Sequence, residues 1–103
     1  MENKDKMENM DKTCVKIFKL TYCGYCRRAL QYVDELRAEN PEFDALNIEL
    51  IDEREQAEEA RKHDYYYVPT FYVDDKKIHE GAVTREQVEE ILRRACEKGN
   101  KKA

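Results

Sequence analysis

Apolar and polar positions change period several times along the 103-residue chain. Cys14-Val15-Lys16-Ile17-Phe18-Lys19-Leu20 is rich in β-branched and apolar side chains and predicts a buried strand. Thr21 and Tyr22 lead out of it to Cys23, and from Gly24 the period becomes helical. Ala29, Leu30, Val33 and Leu36 form a stripe at helical spacing, which Asn40-Pro41 ends. Ala45 to Ile51 alternates as a second strand. Glu53 to Asp64 is charged, with only Ala57 and Ala60 as small apolar positions, and predicts a short exposed helix. Thr70 to Val73 reads as a third strand. Asp74-Asp75 is a turn, and Lys76 to His79 a fourth strand paired to the third as a hairpin. Thr84 with Gln87 has the form of a capping box, and Val88, Ile91, Leu92 and Ala95 continue as a helical stripe. Gly99 and a basic stretch close the pattern.

The order is β-α-β-α-β-β-α. The first β-α-β unit predicts a parallel crossover, and the hairpin supplies the antiparallel half of the sheet. The expected class is therefore α/β, a four-stranded mixed sheet with helices on both faces. One domain is expected over residues 13–98, with a flexible tail at 1–12 and a basic tail at 99–103.

Charged and hydrophobic residues each make up 41% of the chain, and the net charge is −4. That balance suits a globular protein with a heavily charged surface and disfavours nucleic acid as a partner. Met1 to Lys12 lacks the apolar stretch of a signal peptide, and no apolar run approaches a membrane span. The expected setting is the cytoplasm, away from membranes, with the chain a monomer.

Cys14, Cys23, Cys26 and Cys96 are the four cysteines. In a secreted chain they would suggest two bridges, but only one pair is close. Cys23-Gly24-Tyr25-Cys26 stands where a buried strand gives way to a helix. A helix N-terminus carries unpaired N–H groups and a positive dipole end, which push a sulfur there toward the nucleophilic thiolate. Cys26, three residues on, shares that helix face. Cys23 would attack a substrate disulfide, and Cys26 would then attack Cys23 and release the reduced substrate. The structural rivals are an inert pair and half of a zinc site. Zinc wants four ligands, and Cys14, Cys96, His63 and His79 are isolated in sequence, so no metal site is expected.

Three separated segments carry a family resemblance across residues 14 to 96: Tyr22-Cys23-Gly24-Tyr25-Cys26-Arg27 after its strand, Val68-Pro69-Thr70, and Gly81-Ala82-Val83-Thr84 running into Gln87-Val88 and Ile91-Leu92. Together they resemble the thioredoxin/glutaredoxin superfamily. The resemblance implies the thioredoxin fold and disulfide reduction by dithiol exchange. It also implies a cis peptide before Pro69, where base rate alone favours trans. Val68, Pro69 and Thr70 would shape the substrate groove, with the Val68 backbone pairing an extended substrate. The compact size and Tyr25 are glutaredoxin-like, whereas Pro69-Thr70 and Gly81-Ala82 look like thioredoxin. Gly24 replaces the glutaredoxin proline, Leu20 stands at that family's basic position, and its Gly-Gly-x-Asp turn is absent from His79 to Thr84. Ile17 occupies the place of the buried acid of thioredoxins.

No cofactor beyond the Cys23–Cys26 pair is expected, with glutathione a candidate co-substrate. The implied partners are disulfide-bearing proteins and either a thioredoxin-type reductase or glutathione. The rival functions are a glutathione-dependent monothiol glutaredoxin, a non-catalytic binding module of the same fold, and a soft-metal carrier. Tyr22 and Tyr25 are candidate substrate contacts. Arg27, Arg28, Lys16 and Lys19 are read as solvated cations or a source of positive potential. The Tyr65-Tyr66-Tyr67 run is expected to pack. Cys14 and Cys96 are read as small apolar residues, and His63 and His79 as surface residues.

Overall fold

The computed structural model describes residues 14–102. The tail expected at residues 1–12 lies outside them. Eight elements follow in order: β1 (Cys14–Lys19), α1 (Gly24–Glu39), α2 (Pro41–Asp44), β2 (Asn47–Asp52), α3 (Ala57–Arg61), β3 (Thr70–Val73), β4 (Lys76–Glu80) and α4 (Arg85–Lys102). The four strands form one sheet in the order β2-β1-β3-β4. β1 runs parallel to β2 and antiparallel to β3, and β3 pairs with β4 as a hairpin. The mixed sheet is the one that the strand and helix order predicts.

Side chains alternate across β1, the period-two rule of a strand with both faces covered. Val15 and Ile17 join Ala29, Val33 and Leu36 of α1 and Val88, Ile91, Leu92 and Ala95 of α4 in the larger core. Phe43 of α2 and Phe71 and Val73 of β3 complete it. Phe18 points the other way, into a smaller cluster with Ile51, Ala60 of α3 and Tyr72. Helices thus cover both faces.

Boundaries depart from expectation where local chemistry decides. Pro41 does not end helicity outright: it opens α2 at the first helical position, where a missing N–H costs nothing. The second strand begins at Asn47 rather than Ala45, because Ala45 caps α2. The helix expected over 53–64 shrinks to Ala57–Arg61, since Asp52 organises a turn before it. α4 continues through Gly99 to Lys102, past the expected tail boundary at 99. One glycine costs a helix only about 1 kcal/mol.

Two predicted devices appear as drawn. Gln87 N donates to Thr84 Oγ1 at 3.1 Å and Thr84 N to Gln87 Oε1 at 2.9 Å, a reciprocal capping box. Asp74 (φ 51) and Asp75 (φ 70) both take the left-handed conformation that a two-residue hairpin turn needs.

The register gathers four chain segments at one sheet edge. Lys19 ends β1 beside Asp52 ending β2, and Phe18 pairs with Thr70, which starts β3. Thr70 in turn pairs with Glu80, which ends β4.

A candidate redox site at the sheet edge

β1 delivers the chain to this edge, and α1 begins there. Cys23 is the N-cap of α1, with extended backbone (φ −106, ψ 120). Its Sγ accepts from the Cys26 amide at 3.4 Å, so one of the helix's unpaired N–H groups is aimed at sulfur. Cys23 is half-buried, and all four cysteines are free thiols. Cys26 is 1% exposed. Burial, then the neighbouring Cys23 and Glu53, push its thiol up to about 12, while a backbone hydrogen bond at Leu20 works the other way. The edge therefore holds one accessible sulfur facing backbone N–H and a second, protonated sulfur behind it.

The Val68–Pro69 peptide is cis. Pro69 is fully buried, and its carbonyl accepts from Gly81 N at 2.8 Å. Gly81 has φ +99, a conformation that L side chains rarely adopt. Thr70 is buried, and its Oγ1 donates to the Tyr67 carbonyl. Val68 is half-buried against the Phe18 cluster.

The candidate tyrosines stand outward: Tyr22 is 88% exposed and Tyr25 62%. The packing expected of Tyr65 to Tyr67 holds for Tyr65 alone. Its ring lies 5.0 Å from that of Phe18, and its hydroxyl donates to Glu53 Oε1 at 2.8 Å. Tyr66 and Tyr67 are exposed, because β3 starts only at Thr70 and no strand neighbour covers them. His63 is no free surface residue: its ring packs tilted against Phe18 at 4.6 Å and edge-on to Tyr72 at 4.8 Å. Lys19 pairs with Asp52 and Lys16 with Glu59, so neither is a free cation at the sulfurs. Cys14 and Cys96 are half-buried at other places in the fold, and burial raises both thiols. Among the described residues, no group of three or more His, Cys, Asp or Glu side chains could hold a metal ion. No helix among them is long and apolar enough to cross a membrane.

Two residues of this edge escape the sequence reading. Asp52 is 4% exposed and accepts from Thr21 Oγ1 at 2.7 Å, Arg54 N at 2.9 Å and Glu55 N at 3.2 Å. These bonds and Lys19 hold its carboxyl down at about 2. Asp52 fixes the loop before Cys23 to the loop after β2. Between them, a cavity of about 360 Å³ is lined by Leu20, Thr21, Tyr22, Asp52, Arg54 and Glu55. An acid closing an apolar strand before a charged run is the signal that could have found it. Glu80 accepts from Tyr67 N at 2.8 Å, from Tyr66 N and from Lys77 Nζ at 2.8 Å. Its two amide partners lie 13 and 14 residues away, which no local pattern reveals.

The four-stranded sheet and its helices define the thioredoxin fold. Residues 13–93 match the thioredoxin domain family. The thioredoxin of Methanocaldococcus jannaschii is 28% identical over 85 residues, covering 82% of this chain and 98% of that protein. The crystal structure of Fasciola hepatica thioredoxin matches with a TM-score of 0.66 at 25% identity, over 91% of this chain and 92% of the other. Oxidised thioredoxin of Plasmodium falciparum matches with a TM-score of 0.68 over 93% of this chain and 92% of the other; at 15% identity it speaks to the fold alone. The chain belongs to the thioredoxin family, within the thioredoxin/glutaredoxin superfamily, and is a thioredoxin-like redox protein. Membership implies disulfide-bearing substrates and a reductase in general terms.

Proposed function

We propose that this protein is a thiol–disulfide oxidoreductase that reduces disulfides by dithiol exchange through Cys23 and Cys26. The observation that carries this reading is the pairing of a half-buried Cys23 Sγ with the Cys26 amide, above a Cys26 thiol that is 1% exposed. Negative charge is favoured at a helix N-terminus, so Cys23 is the attacking sulfur.

Cys23 thiolate attacks one sulfur of the substrate disulfide. A Cys23–substrate disulfide forms, and the first substrate sulfur leaves as thiolate. Cys26 then attacks Cys23 Sγ. The mixed disulfide breaks, the Cys23–Cys26 disulfide forms, and the second substrate sulfur leaves. The proton lost from Cys26 is balanced by the one the departing thiolate takes up. The protein is oxidised by two electrons and the substrate reduced by two. A high Cys26 pKa suits this order: Cys26 stays a thiol until Cys23 is engaged. The Val68 backbone beside the cis Pro69 pairs with an extended stretch of substrate, the exposed Tyr22 and Tyr25 line its approach, and the buried Thr70 serves only from behind, by holding the Tyr67 carbonyl.

The cycle needs no metal or organic cofactor. Electrons return from a thioredoxin-type reductase or from glutathione, with the protein working as a monomer in the cytoplasm, where such systems keep thiols reduced. The test is reduction of a polypeptide disulfide with each electron source supplied alone. Turnover with thioredoxin reductase and NADPH, lost in Cys26→Ser, supports the dithiol reading. Turnover with glutathione only, surviving Cys26→Ser, would replace it with a monothiol mechanism. Turnover with neither source would remove the enzymatic reading altogether.

A further inference from the structure

The segment between α3 and β3 carries the cis Pro69, yet residues 64–69 belong to neither helix nor strand. Its conformation must be held from elsewhere. The end of β4 does this from two sides. Glu80 Oε2 accepts from two successive backbone amides, Tyr66 N and, at 2.8 Å, Tyr67 N. The next residue, Gly81, donates its N–H to the Pro69 carbonyl at 2.8 Å. Val68 stands between these anchors. Among the described residues its own N–H and C=O take part in no hydrogen bond.

Glu80 is itself oriented. Its Oε1 accepts from Lys77 Nζ at 2.8 Å, and Lys77 Nζ also donates to the Asp64 carbonyl at 3.2 Å. Tyr72 OH donates to the same carbonyl at 2.9 Å. The carboxylate is part-shielded, with its side chain 19% exposed. Bonds between a carboxylate and backbone N–H are the strong kind, and shielding strengthens them further. An acid facing backbone amides across a sheet edge has no counterpart at the sulfurs: no bond links Glu80 to either cysteine.

We propose that Glu80 is a positioning residue for polypeptide substrates, holding the Tyr66–Val68 backbone so that the free Val68 amide and carbonyl meet an extended, disulfide-bearing chain. The role rests on the dithiol reading above and deepens it. A small disulfide meets Cys23 without pairing to Val68 and gains little from the clamp. Glu80 thus selects for extended polypeptides over small disulfides.

The experiment compares the full chain with Glu80→Ala, Glu80→Gln and Lys77→Met on two oxidants, insulin and the aromatic disulfide 5,5′-dithiobis(2-nitrobenzoate). Loss of charge-assisted bonds to a binding loop predicts that Glu80→Ala raises KM for insulin about tenfold, with kcat within about twofold. The rate with the small disulfide falls by no more than about twofold. Glu80→Gln, which keeps an acceptor oxygen, recovers part of the insulin KM. Lys77→Met, which removes one arm of the carboxylate's support but not the amide bonds, moves it least. The Cys23 alkylation rate against pH stays superimposable in all four proteins. Equal losses on both oxidants, or an unchanged insulin KM in Glu80→Ala, would overturn the role of Glu80 alone. An unsubstituted protein that reduces neither oxidant would overturn the dithiol reading and this role with it.

Discussion

Asp52 concentrates the electrostatics of the edge in a single side chain. It is buried, yet its carboxylate collects two backbone amides, the Thr21 hydroxyl and the Lys19 ammonium. A carboxyl held near 2 when folded, against about 3.9 when unfolded, binds fewer protons in the folded state. Its contribution to stability is present above about pH 4 and is lost as pH falls toward 2. Urea midpoints measured from pH 6 to pH 2 should therefore fall less steeply in Asp52→Asn than in the unsubstituted protein. Parallel acid limbs would contradict the pairing. Asp52 also joins Thr21, in the turn before Cys23, to the loop after β2, so the same variant should loosen that turn.

Among the elements, α4 and the β1 strand make separable demands on stability. The start of α4 rests on the Thr84–Gln87 box, and losing a side-chain cap costs about 1 kcal/mol. Thr84→Ala should lower the free energy of urea unfolding by that amount without touching the candidate site at Cys23 and Cys26. Phe18 is 0% exposed and central to the smaller core, against the rings of His63, Tyr65 and Tyr72. Emptying such a site costs roughly 3–5 kcal/mol. Phe18→Ala should show that loss in denaturant unfolding. It should also disturb the half-buried Val68, which packs on the same cluster. A loss below about 1 kcal/mol would mean that this face of the sheet carries little of the fold's stability.

For the molecule as a whole, alkali is the matching probe. Cys26 is raised to about 12 when folded, against about 8.5 when unfolded. Its contribution is intact below about pH 8.5 and declines as pH rises toward 12, because the unfolded chain gives up the proton first. Cys26→Ala should flatten the alkaline limb of the stability profile. The strand and helix order, the hairpin turn, the capping box and the Cys23–Cys26 pair were all legible in sequence, because each rests on neighbours within a few residues. The helix boundaries at Pro41 and Gly99 were less so, since proline can open a helix as well as end one and a single glycine does not stop one. Asp52 left only a faint signal, an acid closing an apolar strand, and the role of Glu80 left none. Their distant partners come from β1, the turn before α1 and the loop before β3, and only the sheet register brings those segments to one edge. The exposure of Tyr66 and Tyr67 follows from the same late start of β3.

The division of labour between the two sulfurs is tested most directly by trapping. Cys26→Ser, oxidised with a polypeptide disulfide, should accumulate one mixed disulfide per chain. Peptide mapping by mass spectrometry should place it on Cys23, and Cys23→Ser should form none. An adduct on Cys14 or Cys96, or full multiple turnover by Cys26→Ser, would contradict the assignment of Cys23 as attacking sulfur and Cys26 as resolving sulfur.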